Sequence, residues 1–321
     1  MALDFELLRR ANAGDAESQY LLAEHYYFGF DSGVPNYKKA FKWYKKAAEQ
    51  GHDLSQAYLG DLYFRGVGTE QSYDEAYKWH RKSALQKCPY GCSRLAFYYR
   101  TGTIVERDYG IMFKLDMYAA EHGEAESMHE VADCYYFGFR EQEKNMELAF
   151  KWYKNAVENG DESALCGLGC CYDDSSVTEH NPAEAYNCFL RGARQGNPVC
   201  ATNLGNHYYF GNGTRENRSR ALKCYRYGAE NHVVHAQYML GQMYESGIAV
   251  TQDYDMAMKL YKQAARQGES YAMYQIAWMY YYGCGVEPSR ANARRWLNKA
   301  RDYGCDIVQY LYDIMDKDKQ A

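Results

Sequence analysis

Cys88 and Cys92, and again Cys166 and Cys170, stand four residues apart, an interval that puts two thiols on one face of a helix. Two such pairs brought together would make a tetrahedral zinc site. The eleven cysteines are otherwise irregularly spaced, which favours thiols packed as small apolar groups. MHEVAD at 128–133 holds a His-Glu pair but no second histidine one turn on, as a zinc hydrolase helix requires. GVG at 66–68, GNG at 211–213 and GCG at 283–285 resemble pieces of phosphate loops, yet none follows a strand or ends in GK[ST]. His25, His129 and His207 read as packed or solvated groups, and no Ser–His–Asp order stands out. No catalytic set, metal site or cofactor is expected.

Bulk composition points the same way. The chain has 321 residues, a formal charge of −5, 25% charged and 47% hydrophobic residues. These are the proportions of an ordinary folded protein. No basic excess invites nucleic acid, and no apolar run reaches the ~20 residues that span a bilayer. The start MALDFELLRR carries Asp4 and Glu6 and no apolar signal core, so with its many unpatterned cysteines a cytoplasmic setting is expected. Export by a dedicated system is compatible with this. The 35 tyrosines need an account.

That account is a repeat. Units open at Gly14, Gly51, Lys87, Gly123, Gly160, Gly196, His232 and Gly268, with Gly304 opening a ninth, at steps of 36 or 37 residues. Twelve positions in, each of the eight has tyrosine, from Tyr26 and Tyr63 to Tyr280. Nine positions in comes Ala or Gly, as at Ala23, Gly60, Gly205 and Ala277, preceded by Leu, Val or Ile. Large, small, then aromatic at this spacing makes one helical face, and the small residue lets a second helix approach. That second helix is the KKAFKWYKKAAEQG type, anchored by Ala40, Ala76, Ala149 or Ala257 with a bulky residue three on, such as Trp43 or Trp152. Gly29, Gly66, Gly102, Gly138, Gly211, Gly247 and Gly283 fit the left-handed position that ends a helix. Asn181 and Pro182 look like a helix start. Each unit is therefore helix, loop, helix, and a single hairpin buries too little apolar surface to stand without stacked neighbours.

These residues resemble the Sel1-like repeat family, relatives of the tetratricopeptide repeat. The likeness rests on the A-x3-LG-x2-Y-x2-G and KA-x2-WY-x-KAA-x-QG halves and covers about 14–303. It implies an all-α fold, a right-handed α-solenoid superhelix of about eight helix-turn-helix repeats at 14–303. Terminal capping helices are expected at 1–13 and 304–321, the latter with a polar tail. Repeat three departs at Met112 and Leu115, and repeat five has Ser175 where an interhelix glycine is usual. The family's cysteine-rich exported members, linked to cell-wall-derived ligands, carry a regular cysteine pair per repeat. This chain does not.

The resemblance puts the first helices on the concave side. Positions 3, 6, 10 and 13 of each unit then form a face about 80° wide beside the core columns. Twelve of those 32 residues are aromatic, where about five would follow from the 16% aromatic content. The candidate partner-binding groove is Tyr20, Glu24, Tyr27, Asp61, Phe64, Phe97, Asp133, Tyr136, Asn206, Tyr209, Tyr238, Gln242, Tyr271, Tyr274, Trp278 and Tyr281. Its acids suit a basic or amphipathic protein segment and disfavour phosphates. The expected function is a non-enzymatic adaptor or scaffold, in the range of bacterial regulatory, host-interaction and toxin-immunity proteins, as a monomer or weak dimer. The alternative is a hydrolase acting on a small, cell-wall-like ligand, which would need convergent titratable groups with shifted pKa values.

Overall fold

The computed structural model describes residues 5–30, 33–139, 142–175 and 181–317. The first four residues and the end of the polar tail, 318–321, lie outside them, as do Glu179 and His180 ahead of the helix start at Asn181. Among the described residues there are eighteen α-helices and no strand. The first helices of the units are α2 (Ala16–Phe28), α4 (Asp53–Arg65), α6 (Pro89–Thr101), α8 (Ala125–Phe137), α10 (Leu165–Asp173), α12 (Pro198–Phe210), α14 (Val234–Ser246) and α16 (Ser270–Tyr282). The second helices are α3 (Tyr37–Glu49), α5 (Tyr73–Leu85), α7 (Tyr109–Glu121), α9 (Met146–Glu158), α11 (Pro182–Arg194), α13 (Arg218–Glu230), α15 (Tyr254–Arg266) and α17 (Arg290–Asp302). A short helix flanks the row at each end, α1 (Phe5–Asn12) and α18 (Val308–Lys317). The chain divides into two compact units, Met1–Ala164 and Leu165–Ala321.

Each hairpin is closed by the same backbone clasp. The N–H of the residue before every second helix donates to the carbonyl of the repeated tyrosine, from Asn36 to Tyr26 at 2.7 Å through Asp108 to Tyr99 at 3.1 Å to Ser289 and Tyr280 at 2.7 Å. All eight donors are Asn, Asp or Ser, and each side chain also caps its own helix, as Asn145 accepts from the Leu148 N–H at 3.0 Å. Such a cap is worth about 1 kcal/mol. The two longer units, the first and fourth, carry their extra residue in the loop, and their clasps remain at 2.7 and 2.8 Å.

Inside the hairpin, one side chain of the second helix lies on the small residue of the first. Tyr44, Tyr153, Phe189, Tyr225 and Tyr261 fill this column at no more than 1% exposure. A Cβ at Gly205 would sit 2.8 Å from the Tyr225 ring and one at Gly241 2.7 Å from Tyr261, so close approach excludes any larger residue there. His80 and Asp116 occupy the same column in the second and third repeats, both buried. In repeat three Met112 takes the alanine anchor position and is itself buried. Repeat five starts with a 3-10 turn at Glu162–Ala164 and has the shortest first helix, α10. The seven predicted terminal glycines all adopt left-handed φ between 64 and 76°.

Candidate functional site

Positions 3, 6, 7, 10 and 13 of the first helices supply the side chains described next, and several of their rings also touch their own second helices, as Tyr27 meets Tyr37 at 5.4 Å and Tyr44 at 6.3 Å. In unit Met1–Ala164 this face is charged and closed upon itself. Tyr20 donates to Glu24 at 2.8 Å and stacks on Tyr58, which in turn lies 5.1 Å from the Tyr90 ring. Tyr27 accepts from Arg65 at 2.9 Å. Asp61 meets His80 Nε2 at 3.2 Å and accepts from the Tyr90 hydroxyl. Burial alone would raise the Asp61 carboxyl, but the hydrogen bonds and charge of His80, with Tyr90 and Arg94, outweigh it and hold it below the usual range. Phe64 and Phe97 meet edge to face at 5.6 Å and enclose, with Asp61, His80, Arg94 and Tyr98, a cavity of about 60 Å³. That volume takes one or two waters and no larger ligand. Arg94 pairs with Glu126 and Arg100 with Glu130. Further along, Asp133 accepts from Tyr153 at 2.5 Å, and Tyr136 packs on Tyr153.

In unit Leu165–Ala321 the same face opens into a groove of about 430 Å³ lined by Tyr209, Gln242, Glu245, Ser246, Tyr274, Gln275, Trp278 and Tyr310. Four of the predicted residues, Tyr209, Gln242, Tyr274 and Trp278, meet here. Tyr274 is only 6% exposed, so it presents an edge and belongs mainly to the core. Trp278 and Tyr310 lie nearly parallel at 6.4 Å, and Arg218 stacks on the Tyr209 ring at 3.7 Å. Gln242 donates to Tyr238 at 2.8 Å, and Asn206 accepts from Tyr225 at 2.7 Å beneath the groove. Glu245 is the one carboxylate of the lining; burial pushes its pKa up, and the Tyr261 hydroxyl donating at 2.5 Å pulls part of the way back. Tyr271 instead bonds Asp306 at 2.9 Å on the surface, and Tyr281 lies under the Arg290 guanidinium at 5.9 Å. Tyr238 lies between the Tyr261 and Tyr271 rings.

Three lining residues were not foreseen. Gln275 sits at position 7, Ser246 at position 14, and Tyr310 at position 6 of the ninth unit. Carrying the columns one unit further would have found Tyr310.

Cys88 and Cys92 are buried, and Cys166 and Cys170 half-buried. Among the described residues no group of three or more His, Cys, Asp or Glu is arranged to hold a metal, and all eleven cysteines are free. Burial pushes the Cys92 thiol up to about 11. Asn203 donates toward both Cys166 and Cys170 at 3.9 and 3.8 Å. His207 is buried against Asp173 at 2.8 Å, and His25 is buried as well. No helix among the described residues is long and apolar enough to cross a membrane.

With this geometry in hand, the likeness to known proteins is informative. The Sel1 repeat model matches at 16–52, 53–88, 89–111, 125–161, 162–197, 198–232, 234–269 and 270–304. The third match stops one residue before Met112, where the second helix of repeat three departs from the pattern. Among relatives, the chain is 32% identical over 160 residues to the chitin synthase regulator SKT5 of Saccharomyces cerevisiae, covering 49% of this chain and 23% of that protein. It is 36% identical over 66 residues to the ERAD-associated E3 ubiquitin-protein ligase component HRD3A of Arabidopsis thaliana, 20% of this chain and 10% of that one. The chain thus spans a quarter or less of the length of these relatives. Among solved structures, a protective antigen of uropathogenic Escherichia coli with an SLR fold superposes over 95% of this chain and 65% of its own, with TM-score 0.65 and 29% identity. A Sel1 repeat protein from Oxalobacter formigenes superposes over 96% and 89%, with TM-score 0.59 and 25% identity. Helix pairs, clasp and columns agree with the eight matches that run from 16 to 304, and the chain belongs to the Sel1 repeat family.

Proposed function

We propose that this chain is an interaction scaffold that holds a segment of another protein in the groove of unit Leu165–Ala321. The observation that carries this reading is the open groove of about 430 Å³ lined by Tyr209, Trp278 and Tyr310 beside Gln242, Gln275 and Glu245. Aromatic anchors ringed by amides, with one carboxylate, suit a basic or amphipathic peptide: rings take its apolar groups, amides its backbone, Glu245 its cation. The relatives named a synthase regulator and a ligase component support the class of function, since both names describe proteins that serve other proteins. Eleven free thiols support a reducing, cytoplasmic setting, which full alkylation of protein taken from its native source would check.

The test is a double variant, Trp278→Ala with Tyr310→Ala. Tyr310 is chosen over Tyr274 because it is 62% exposed, so its loss spares the core. The variant is expected to lose capture of the partner from native lysate, and to bind a panel of basic amphipathic peptides about tenfold more weakly, with the helical melt little changed. Undiminished capture and peptide affinity would remove this groove from the account.

A further inference from the structure

In unit Leu165–Ala321 every Lys and Arg of the four hairpins' helices stands on a second helix. The first helices α10, α12, α14 and α16 contain none, and carry only Asp173 and Glu245 as charges. The second helices α11, α13, α15 and α17 contain fourteen, against four acids. The type of base also differs from the other half. Ten of those fourteen are arginine, whereas α3, α5, α7 and α9 hold ten lysines and one arginine. Lysine suffices for a solvated face; arginine, with its planar fork, is the residue for bidentate hydrogen bonds to carboxylate or phosphate.

The densest part is α17. Arg294, Arg295 and Lys299 recur at three- and four-residue spacing with Asn298 and, with Ala291 and Asp302, line one open depression of about 520 Å³ along the helix. A second depression, of about 300 Å³, runs between α13 and α15, where Arg226 and Lys259 stand beside Glu230 and the apolar Leu240, Met256 and Leu260. The arginines of this face already hold carboxylates of their own chain. Arg294 binds Asp316 of α18 at 3.0 Å, and Arg301 binds Asp302 at 3.3 Å.

We propose that the outer face of unit Leu165–Ala321, centred on α17, is a docking surface for an acidic, extended protein segment. The depression on α17, with three bases and Asn298 against the single carboxylate of Asp302, suits a chain of carboxylates. On these four second helices the one large exposed hydrophobic side chain is Tyr227, too little to anchor a helix in a bilayer. This surface is independent of the groove, and with it one repeat array binds two partners of opposite charge on opposite sides of its hairpins.

The experiment is fluorescence anisotropy of a labelled Asp/Glu-rich peptide of about fifteen residues with the full chain, at about 0.05 and 0.3 M salt. The intact chain binds, more weakly at higher salt. Arg294→Glu, Arg295→Glu and Lys299→Glu together weaken binding by about tenfold or more, while Lys42→Glu, Lys45→Glu and Lys46→Glu on α3 change it less than about twofold. Changing the same two arginines to lysine weakens it by about threefold, separating the fork from the charge. The groove variant Trp278→Ala/Tyr310→Ala binds the acidic peptide as the parent does, so this surface and the groove fail or stand separately. Equal loss from the α3 variant, no binding by the parent, or tighter binding to phosphatidylserine vesicles or duplex DNA than to the peptide would overturn the proposal.

Discussion

Asp116 occupies the place that a tyrosine ring fills in four other second helices. It is 3% exposed, accepts from the Ser127 hydroxyl at 2.9 Å through one oxygen, and leaves the other without a hydrogen-bond partner. Burial raises its pKa from 3.8 to about 7, with Ser127 and Arg100 pulling the other way. The folded protein therefore holds a proton that the unfolded chain releases above its ordinary carboxylate range. Stability from this group is present at low pH and is lost as pH rises toward and through 7. Asp116→Asn is expected to flatten the fall in melting temperature between about pH 5 and 8 and to stabilise the protein at pH 8, on the order of 2 kcal/mol. Parallel pH profiles for parent and variant would count against it. The sequence marked repeat three as aberrant at Met112 and Leu115, yet not this carboxylate. Asp116 directly follows Leu115 at the Trp position, and a lone acid there reads in sequence like any solvated helix residue.

At the scale of the helix, the ends were the most legible part. A glycine past the helix end is dictated by a left-handed backbone, and all seven predicted glycines adopt it. Lys87 and His232 stand at the opening position of their units where the others have glycine, and both carry φ of 62°. A side chain in this region costs about 1 kcal/mol. Lys87→Gly is thus expected to raise stability by roughly that amount in chemical denaturation, although glycine also adds freedom to the unfolded chain; a clear loss would show that the lysine makes a compensating contact. The groove was only partly legible. A face counted as 80° omits positions 7 and 14, which extend it by about 40° on one side. Arg94, Gln275 and Ser246 enter from there. Spacing places a column on a helix, but how far a neighbour's ring covers it depends on packing, and this is why Tyr274 is buried while Tyr310 is open.

Over the whole chain, stability in such an array is a sum of unit and neighbour terms, so weak units open first. Repeat three combines a strained Lys87, a buried carboxylate at Asp116 and a methionine in the anchor position. Repeat seven has Tyr261, Ala257 and Ala264 fully buried. Hydrogen-exchange mass spectrometry is expected to find α7 less protected than α15; the reverse order would mean that neighbours, not the unit itself, set local stability. The backbone clasp has a different bearing. Since an N–H and a carbonyl close each hairpin, and the units of 37 residues close as tightly as those of 36, the closure of the hairpin does not register how much chain lies in the turn. The turns of the first and fourth repeats are therefore natural ports where a tag, an epitope or a protease site could be spliced without opening the hairpin.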